Sequence, residues 1–293
     1  MTMAYGVRQV PLSVLGESLQ EEWADPTRRP FVQGDTAFVP VKEEFPSEHT
    51  LQRRKPYRGR GYHMIGDVAV VKGRRPTTDE LDHIVSWQKP RGVIWIRSVL
   101  GEKRIPDSEL VYGTAGEVIH REQGFSYVLD PSMVMFSQGN REEKVRMAAR
   151  VRPGERVADM FAGIGYFSIP MANAGAFVHA MEINPVAYGY LVKNIRLNRL
   201  EAPLNPECGD CRSLLTGEYD RIVMGHFSSG DMIDKALQHV HPGSEMHVHS
   251  SGKVPPDIRG AIEQAGHDPA IRTRTVKKTG PGTWHFVQDV VLG

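Results

Sequence analysis

Apolar and polar positions along the chain fall into two regimes. Through residue 58 the pattern is irregular and rich in proline and arginine. Only TAFVPV reads as a strand there, so residues 1–58 are expected to form a small lobe or an ordered tail. From Gly61 the rhythm firms. GDVAVVK predicts a strand and TTDELDHIVSWQK a helix, because Thr77 and Glu80 have capping-box spacing and Leu81, Ile84, Val85 and Trp87 supply an apolar stripe. GVIWIRSVL predicts a second strand, and EVIHREQGFSYVLD a hairpin turning near Gln123 and Gly124. Residues 59–130 are therefore read as a small α/β domain.

Beyond Pro131 strands and helices alternate. Asn140 stands where an N-cap belongs for NREEKVRMAARV, with Glu142 and Glu143 in the first turn and Arg146 and Arg150 later, as the helix dipole prefers. Strand ERVADM, helix GYFSIPMANA, strand AFVHAME and helix PVAYGYLVKNIRLN follow, the last with Asn184 and Pro185 at its N-cap and first position. DRIVMG, DMIDKALQHV, SEMHVHS and PPDIRGAIEQAG continue the alternation. Two strand-like runs, around IRTRTVKK and TWHFVQDVVL, close the chain. The pattern predicts a doubly wound α/β domain over residues 131–293. Its last two strands adjoin with no helix between them, so one is expected to run antiparallel.

Composition narrows the setting. No apolar run approaches the ~20 residues that span a bilayer, and the opening MTMAYGVRQVPLSVLGE is not expected to act as a signal peptide. The two cysteines, Cys208 and Cys211, are too close for a structural disulfide and suit a reducing compartment, so a cytoplasmic protein is expected. Formal net charge is only +1, but it is unevenly spread. Arg53, Arg54, Lys55, Arg58 and Arg60 cluster beside Tyr57 and Tyr62, and Arg272, Arg274, Lys277 and Lys278 form a second group. Each alone reads as a solvated surface; together, beside a nucleotide-type turn, they fit a phosphate backbone.

That turn lies in ERVADMFAGIGYFSIPMANAG. Gly163 and Gly165 permit a sharp bend and close approach of a ligand, although G-x-G alone is weak. The next strand ends at Glu182, 19 residues after Gly163, where a carboxylate can accept both hydroxyls of a ribose. The competing reading makes Glu182 a helix-capping acid. Ser168 occupies the place of a dinucleotide fold's third glycine, and Asp159 would oppose a pyrophosphate. An adenosine ligand with a cationic centre suits the acids better, which describes S-adenosylmethionine.

DMFAGIGYFSIPMA and MEINPVAYGYLVKNIRLNRL resemble the tRNA position-37 branch of the class I S-adenosylmethionine enzymes. That branch holds guanosine N1-methyltransferases and wybutosine-pathway aminocarboxypropyltransferases. The likeness extends through RRPFVQGDTAFVPV, YHMIGDVAVV, ELVYG, MVMFSQGNREEKVRMA and GTWHFVQDV, over most of residues 28–293. It implies a Rossmann-like class I methyltransferase fold behind a small α/β domain that helps to position tRNA. It also implies that Ser137 lies near the cofactor's methionine end, and that Phe161 and Gly163 pack under the cofactor beside Asp159. Glu182 would take the ribose and Asp210 the adenine amino group, with Cys211 alongside. Lys144 falls where the aminocarboxypropyltransferases carry an arginine; it keeps the charge without a planar two-point grip, and Arg146 is the candidate to compensate. Reading CGDC with His247 and His249 as a metal site is the alternative use of the cysteines.

The reaction is expected from the strand after the adenine loop. DRIVMGHFSSGD has Met224, Gly225 and His226 where base-nitrogen methyltransferases carry Asn-Pro or Asn-Leu-Pro. M-G-x with EIN-P and G-T-W-H-F-V resembles the aminocarboxypropyl-transferring family, which implies a transfer to C7 of 4-demethylwyosine at position 37 of tRNA-Phe; the sequence does not reveal the oligomeric state, and a monomer is favoured. His226 is a candidate base that is left unassigned. Trp284 and His285 are candidates to meet the tricyclic base, with core packing favoured for Trp284. The alternatives are a position-37 methyltransferase, a non-catalytic tRNA-binding protein and a dinucleotide oxidoreductase. Neutralising Arg53, Arg54 and Arg58 together is expected to weaken RNA binding and flatten its salt dependence in a filter assay. Unchanged binding would remove that cluster from the interface.

Overall fold

The computed structural model describes residues 4–52, 57–137 and 140–293. Arg53, Arg54 and Lys55 of the first basic cluster lie outside the described residues. Two compact units divide the chain, residues 1–59 and 60–293.

The first unit is a four-stranded antiparallel sheet in the order β2-β3-β1-β4. Its strands are β1 (Ala4–Pro11), β2 (Phe31–Gln33), β3 (Thr36–Pro40) and β4 (His49–Gln52), with a short helix α1 (Leu15–Ser18) after β1. TAFVPV supplies β3, whose Ala37 and Val39 are fully buried, while Val7 of β1 is buried opposite Pro40. The other strands escape a reading of periodicity because they bury little. β2 is exposed throughout, and β1 fully buries Val7 alone.

The second unit opens with β5 (His63–Ile65), β6 (Val68–Lys72), helix α2 (Thr78–Gln88), β7 (Gly92–Leu100) and β8 (Ile105–Gly113). They form a sheet ordered β5-β6-β7-β8. Val68 to Val71 are all buried, as befits an inner strand, and β6 runs parallel to β7 through the α2 crossover. The capping box forms: Thr77 Oγ1 accepts from the Glu80 amide at 3.3 Å while Glu80 Oε2 accepts from the Thr77 amide at 3.0 Å. β8 is an edge strand carrying Pro106 and three acids or hydroxyls in sequence order, so its apolar period is faint. The hairpin β9 (Val118–Glu122) and β10 (Phe125–Leu129) turns through left-handed Gln123 and Gly124, as read.

Helix α3 (Arg141–Arg150) then leads into β11 (Arg156–Asp159), α4 (Ser168–Asn173), β12 (Phe177–Glu182), α5 (Pro185–Leu197), β13 (Leu204–Cys208), α6 (Cys211–Leu214), β14 (Arg221–Met224), α7 (Ile233–Leu237), β15 (Glu245–Gly252), α8 (Arg259–Gln264), β16 (Pro269–Gly280) and β17 (Thr283–Leu292). The seven strands are ordered β13-β12-β11-β14-β15-β17-β16. β11 to β15 are parallel and β17 is inserted antiparallel beside β15, as the adjoining last strands imply. Alternate residues serve opposite faces. Val157, Val178 and Val223 join a core with Ile169 of α4 and Leu191 of α5; Ala158, Met181 and Ile222 join another with Ala236 of α7 and Ile262 of α8. Ile65, Val70, Ile94 and Ile96 belong to the first of these cores, so the sheet of the 59–130 segment shares its apolar interior with the strands that follow.

Two local expectations are corrected. Asn140 precedes α3 but makes no side-chain cap bond; its backbone is not extended (φ −113°, ψ 22°), and Oδ1 has no partner among the described residues. The helix read over GYFSIPMANA begins only at Ser168, because Gly163 (φ +59°) and Gly165 (φ +103°) hold the preceding turn in left-handed backbone. No helix among the described residues is long and apolar enough to cross a membrane.

A seam of charge joins α3 to the sheet. The Arg221 side chain is completely buried, pairing with Glu245 and Glu155 at 2.8 Å each and donating to His247 Nε2 at 2.5 Å. His247 Nδ1 meets Asp289 at 2.6 Å, and Asp289 takes Arg146 of α3 at 2.6 Å. Burial pushes the Glu245 pKa up, but Arg221 and Arg150 outweigh it and hold the group at about 2. The folded value lies below the ordinary 4.5, so the stabilisation is complete above that pH and is lost as pH falls toward 2. Glu245→Gln is expected to cost about 2 kcal/mol at neutral pH. In urea unfolding at a series of pH values, its deficit against the parent should close in acid; a deficit independent of pH would show that charge is not the cause.

Candidate functional site

The carboxyl ends of β11, β12, β13 and β14 surround a cavity of about 960 Å³, within the size range of sites for drug-sized ligands. Parallel strands place it there: each strand enters its crossover on the same edge of the sheet, so four loops converge. Every described residue that lines it belongs to the second unit.

Glu182 is the best-fixed group in the cavity. Its Oε2 accepts from the Gly163 amide at 2.7 Å and its Oε1 from the Asn184 amide at 2.7 Å. Burial raises its pKa while these amides oppose the rise. Each oxygen retains lone-pair capacity for a further donor. Asn184 relieves Glu182 of the capping duty, since its own Oδ1 accepts from the Val186 and Ala187 amides. Gly163 has room only for hydrogen: a Cβ there would lie 2.7 Å from the Tyr166 ring.

Asp210 caps α6 through the Arg212 amide at 2.9 Å, and the Arg212 guanidinium holds its carboxyl below the usual range. Cys211 lines the cavity, and burial pushes its thiol up to about 11, too high for a thiolate nucleophile at neutral pH. Phe161 stacks on His226, ring centres 5.3 Å apart. His226 Nδ1 accepts from the Ser228 amide at 3.1 Å, so the neutral ring carries its proton on Nε2 and presents a donor there, not a base. Burial, with help from Arg104, lowers the ring's pKa and keeps it neutral.

Ser137, Lys144, Phe161, Gly163, Glu182, Asp210 and Cys211 thus meet around one cavity. Asp159 does not line it. It is fully buried under the turn, accepting from Ser168 Oγ at 2.6 Å and the Phe161 amide at 3.3 Å, and burial pushes it up to about 6. Lys144 reaches the cavity wall with its charge already matched: Nζ lies 2.6 Å from Glu122 and over the Phe136 and Tyr166 rings. Arg146 cannot compensate from its place in the charge seam, bonded to Glu143 and Asp289. His247 also belongs to that seam, and His249 is buried against His285 at 3.0 Å. The expectation for Trp284 is reversed, since Trp284 is 40% exposed while His285 is buried. Lys277 of the second basic group lines the cavity from β16, beside Lys72 of β6 and Arg104 of the β7–β8 turn, which sequence reading missed. No local motif marks them, because only the packing of one sheet beside the other brings them to the strand tips.

Residues 118–265 match the TRM5/TYW2 methyltransferase domain. A relative from Methanocaldococcus jannaschii, named tRNA(Phe) (4-demethylwyosine(37)-C(7)) aminocarboxypropyltransferase, is 36% identical over 241 residues, which is 78% of this chain and 96% of that protein. Among solved structures, TYW2 from M. jannaschii in complex with AdoMet matches with a TM-score of 0.65 and 31% identity, over 79% of this chain and 99% of that one. Wild-type Trm5b from Pyrococcus abyssi matches over 100% of both chains, with a TM-score of 0.70 and 26% identity.

Gly163→Ala should strain both the left-handed backbone and the contact with Tyr166. A loss of about 1–3 kcal/mol in urea unfolding is expected. An unchanged midpoint would mean that the turn holding Glu182 has slack.

Proposed function

This chain belongs to the TRM5/TYW2 methyltransferase domain family, and we propose that it transfers the 3-amino-3-carboxypropyl group of S-adenosylmethionine to C7 of 4-demethylwyosine at position 37 of tRNA-Phe. The co-product is 5′-methylthioadenosine. The observation that carries the choice of group is the match to an aminocarboxypropyltransferase along 96% of that protein's length. The tip of β14 supports it, offering Gly225 and His226 with neither Asn nor Pro to grip a ring nitrogen.

The cavity fits the donor. Glu182 is aimed by two backbone amides to receive ribose hydroxyls, and Asp210 stands one strand further along for the adenine amino group. Three carbons on a sulfonium are open to in-line displacement, so the group that moves is the one whose carbon faces the nucleophile. Holding the donor in one orientation is therefore the main task of this chain's residues. His226, as a neutral donor at the β14 tip, can hydrogen-bond an acceptor on the target base. Lys72 and Lys277 line the same cavity and pair with no carboxylate among the described residues, which suits a phosphate of the tRNA strand beside the target nucleotide. The 59–130 segment, which carries Lys72, is the part proposed to position tRNA.

The deciding experiment incubates the protein with S-adenosylmethionine and tRNA bearing 4-demethylwyosine, then weighs the nucleoside and identifies the co-product. An aminocarboxypropyl mass gain with 5′-methylthioadenosine is expected. A methyl gain with S-adenosylhomocysteine would replace this reading by methyl transfer. Glu182→Ala is expected to weaken donor binding by about tenfold or more in calorimetry.

A further inference from the structure

The turn Gly101–Arg104, between β7 and β8, lines the cavity along its whole length. Three consecutive residues tie it to three places. Glu102 faces Arg212, the partner of Asp210, at 3.8 Å. The Lys103 carbonyl accepts from Asn184 Nδ2 at 3.0 Å, two residues past Glu182. Arg104 extends to Met135, its Nη2 3.1 Å from the sulfur, with its guanidinium 5.9 Å from the Phe227 ring centre. The turn therefore passes the adenine acid, then the ribose acid, then the Met135–Ser137 wall. A donor bound by Asp210 and Glu182 would lay out adenine, ribose and amino-acid tail in that same order.

Arg104 is out of the ordinary in two respects. Its φ of +52° is set by the β7–β8 turn, where the Gly101 carbonyl accepts from its amide at 3.2 Å, so a long side chain leaves the turn from left-handed backbone. It is also half-buried with no carboxylate in ion-pair range among the described residues, and its Nε is buried without a partner. A desolvated cation lacking a counter-charge is costly, and an arriving anion offsets that cost. The two cations that the sequence offered for this end of the donor are committed elsewhere, Lys144 to Glu122 and Arg146 to Glu143 and Asp289.

We infer that Arg104 is a positioning residue that grips the α-carboxylate of the donor's amino-acid end, supplying from the β7–β8 turn the planar two-point contact that Lys144 lacks. The inference rests on the reading of S-adenosylmethionine as donor. Fixing that carboxylate would fix which sulfonium carbon faces the target.

Calorimetry on the full chain without tRNA tests it, using two ligands that differ in the aminocarboxypropyl group: S-adenosylmethionine and 5′-methylthioadenosine. Arg104→Asn keeps a residue that tolerates left-handed backbone. It should weaken S-adenosylmethionine about 10- to 100-fold and leave 5′-methylthioadenosine within about twofold, with Arg104→Lys intermediate. Equal loss for both ligands would mean that the turn has merely shifted, and would overturn the inference. So would unchanged S-adenosylmethionine affinity, including the case where tRNA binding instead becomes less salt-dependent because the anion is an RNA phosphate. A selective loss in Lys277→Gln in place of Arg104→Asn would likewise overturn it. Failure of the donor reading itself looks different, since the parent protein would then bind neither ligand.

Discussion

The carboxylate of Glu182 is clamped between two amides, Gly163 on one crossover and Asn184 on the next, each at 2.7 Å. This bracket is what the site depends on. It joins the turn after β11 to the start of α5, so the two loops cannot move apart without leaving a part-buried acid unpaired. It also makes the turn's shape obligatory: the Gly163 amide reaches Glu182 only from left-handed backbone, and the Tyr166 ring forbids a side chain there. Asp159 works beneath as a support. It fastens the same turn from below through Ser168 and the Phe161 amide, which explains why an acid at a strand end is not in the cavity.

The charges of the second unit divide into those satisfied within the protein and those that face the cavity. Arg146, Asp289, His247, Arg221 and Glu245 form a chain in which every link is an ion pair or a charged hydrogen bond. The chain crosses β14, β15 and β17, so the antiparallel strand that closes the sheet also carries one of its central acids. Lys144 and Glu122 close a second account on the cavity wall. Against that background Arg104, Lys72 and Lys277 line the cavity with no ion-pair partner among the described residues, and the acids Glu182 and Asp210 line it with them. A zwitterionic, cationic donor and a polyanionic acceptor strand call for opposite charge in separate parts of one crevice.

Strong local signals were legible from the chain. The apolar run Val68–Val71 of β6, the capping box of α2, the Gln123–Gly124 turn and the strand–helix alternation after Pro131 each arise from contacts within a few residues. Edge strands such as β8, and the shallow strands of the first unit, were not legible, because a strand that buries one or two side chains leaves almost no period in its sequence. The helix beginning at Ser168 was misplaced by three residues for a related reason: Gly165 holds left-handed backbone, a choice that its sequence neighbours do not announce.

By itself the sequence determined the doubly wound fold, the antiparallel closing strand and the pairing of a glycine turn with an acid 19 residues on, all consequences of periodicity and spacing along one strand–helix–strand unit. Tertiary structure alone decided which charges are free. Lysine, arginine and aspartate look the same in sequence whether paired or not, and their partners lie far away in the chain, Asp289 for Arg146 and Glu122 for Lys144. Only packing could reveal that the expected cations were taken and that an arginine in a hairpin turn was left facing the crevice.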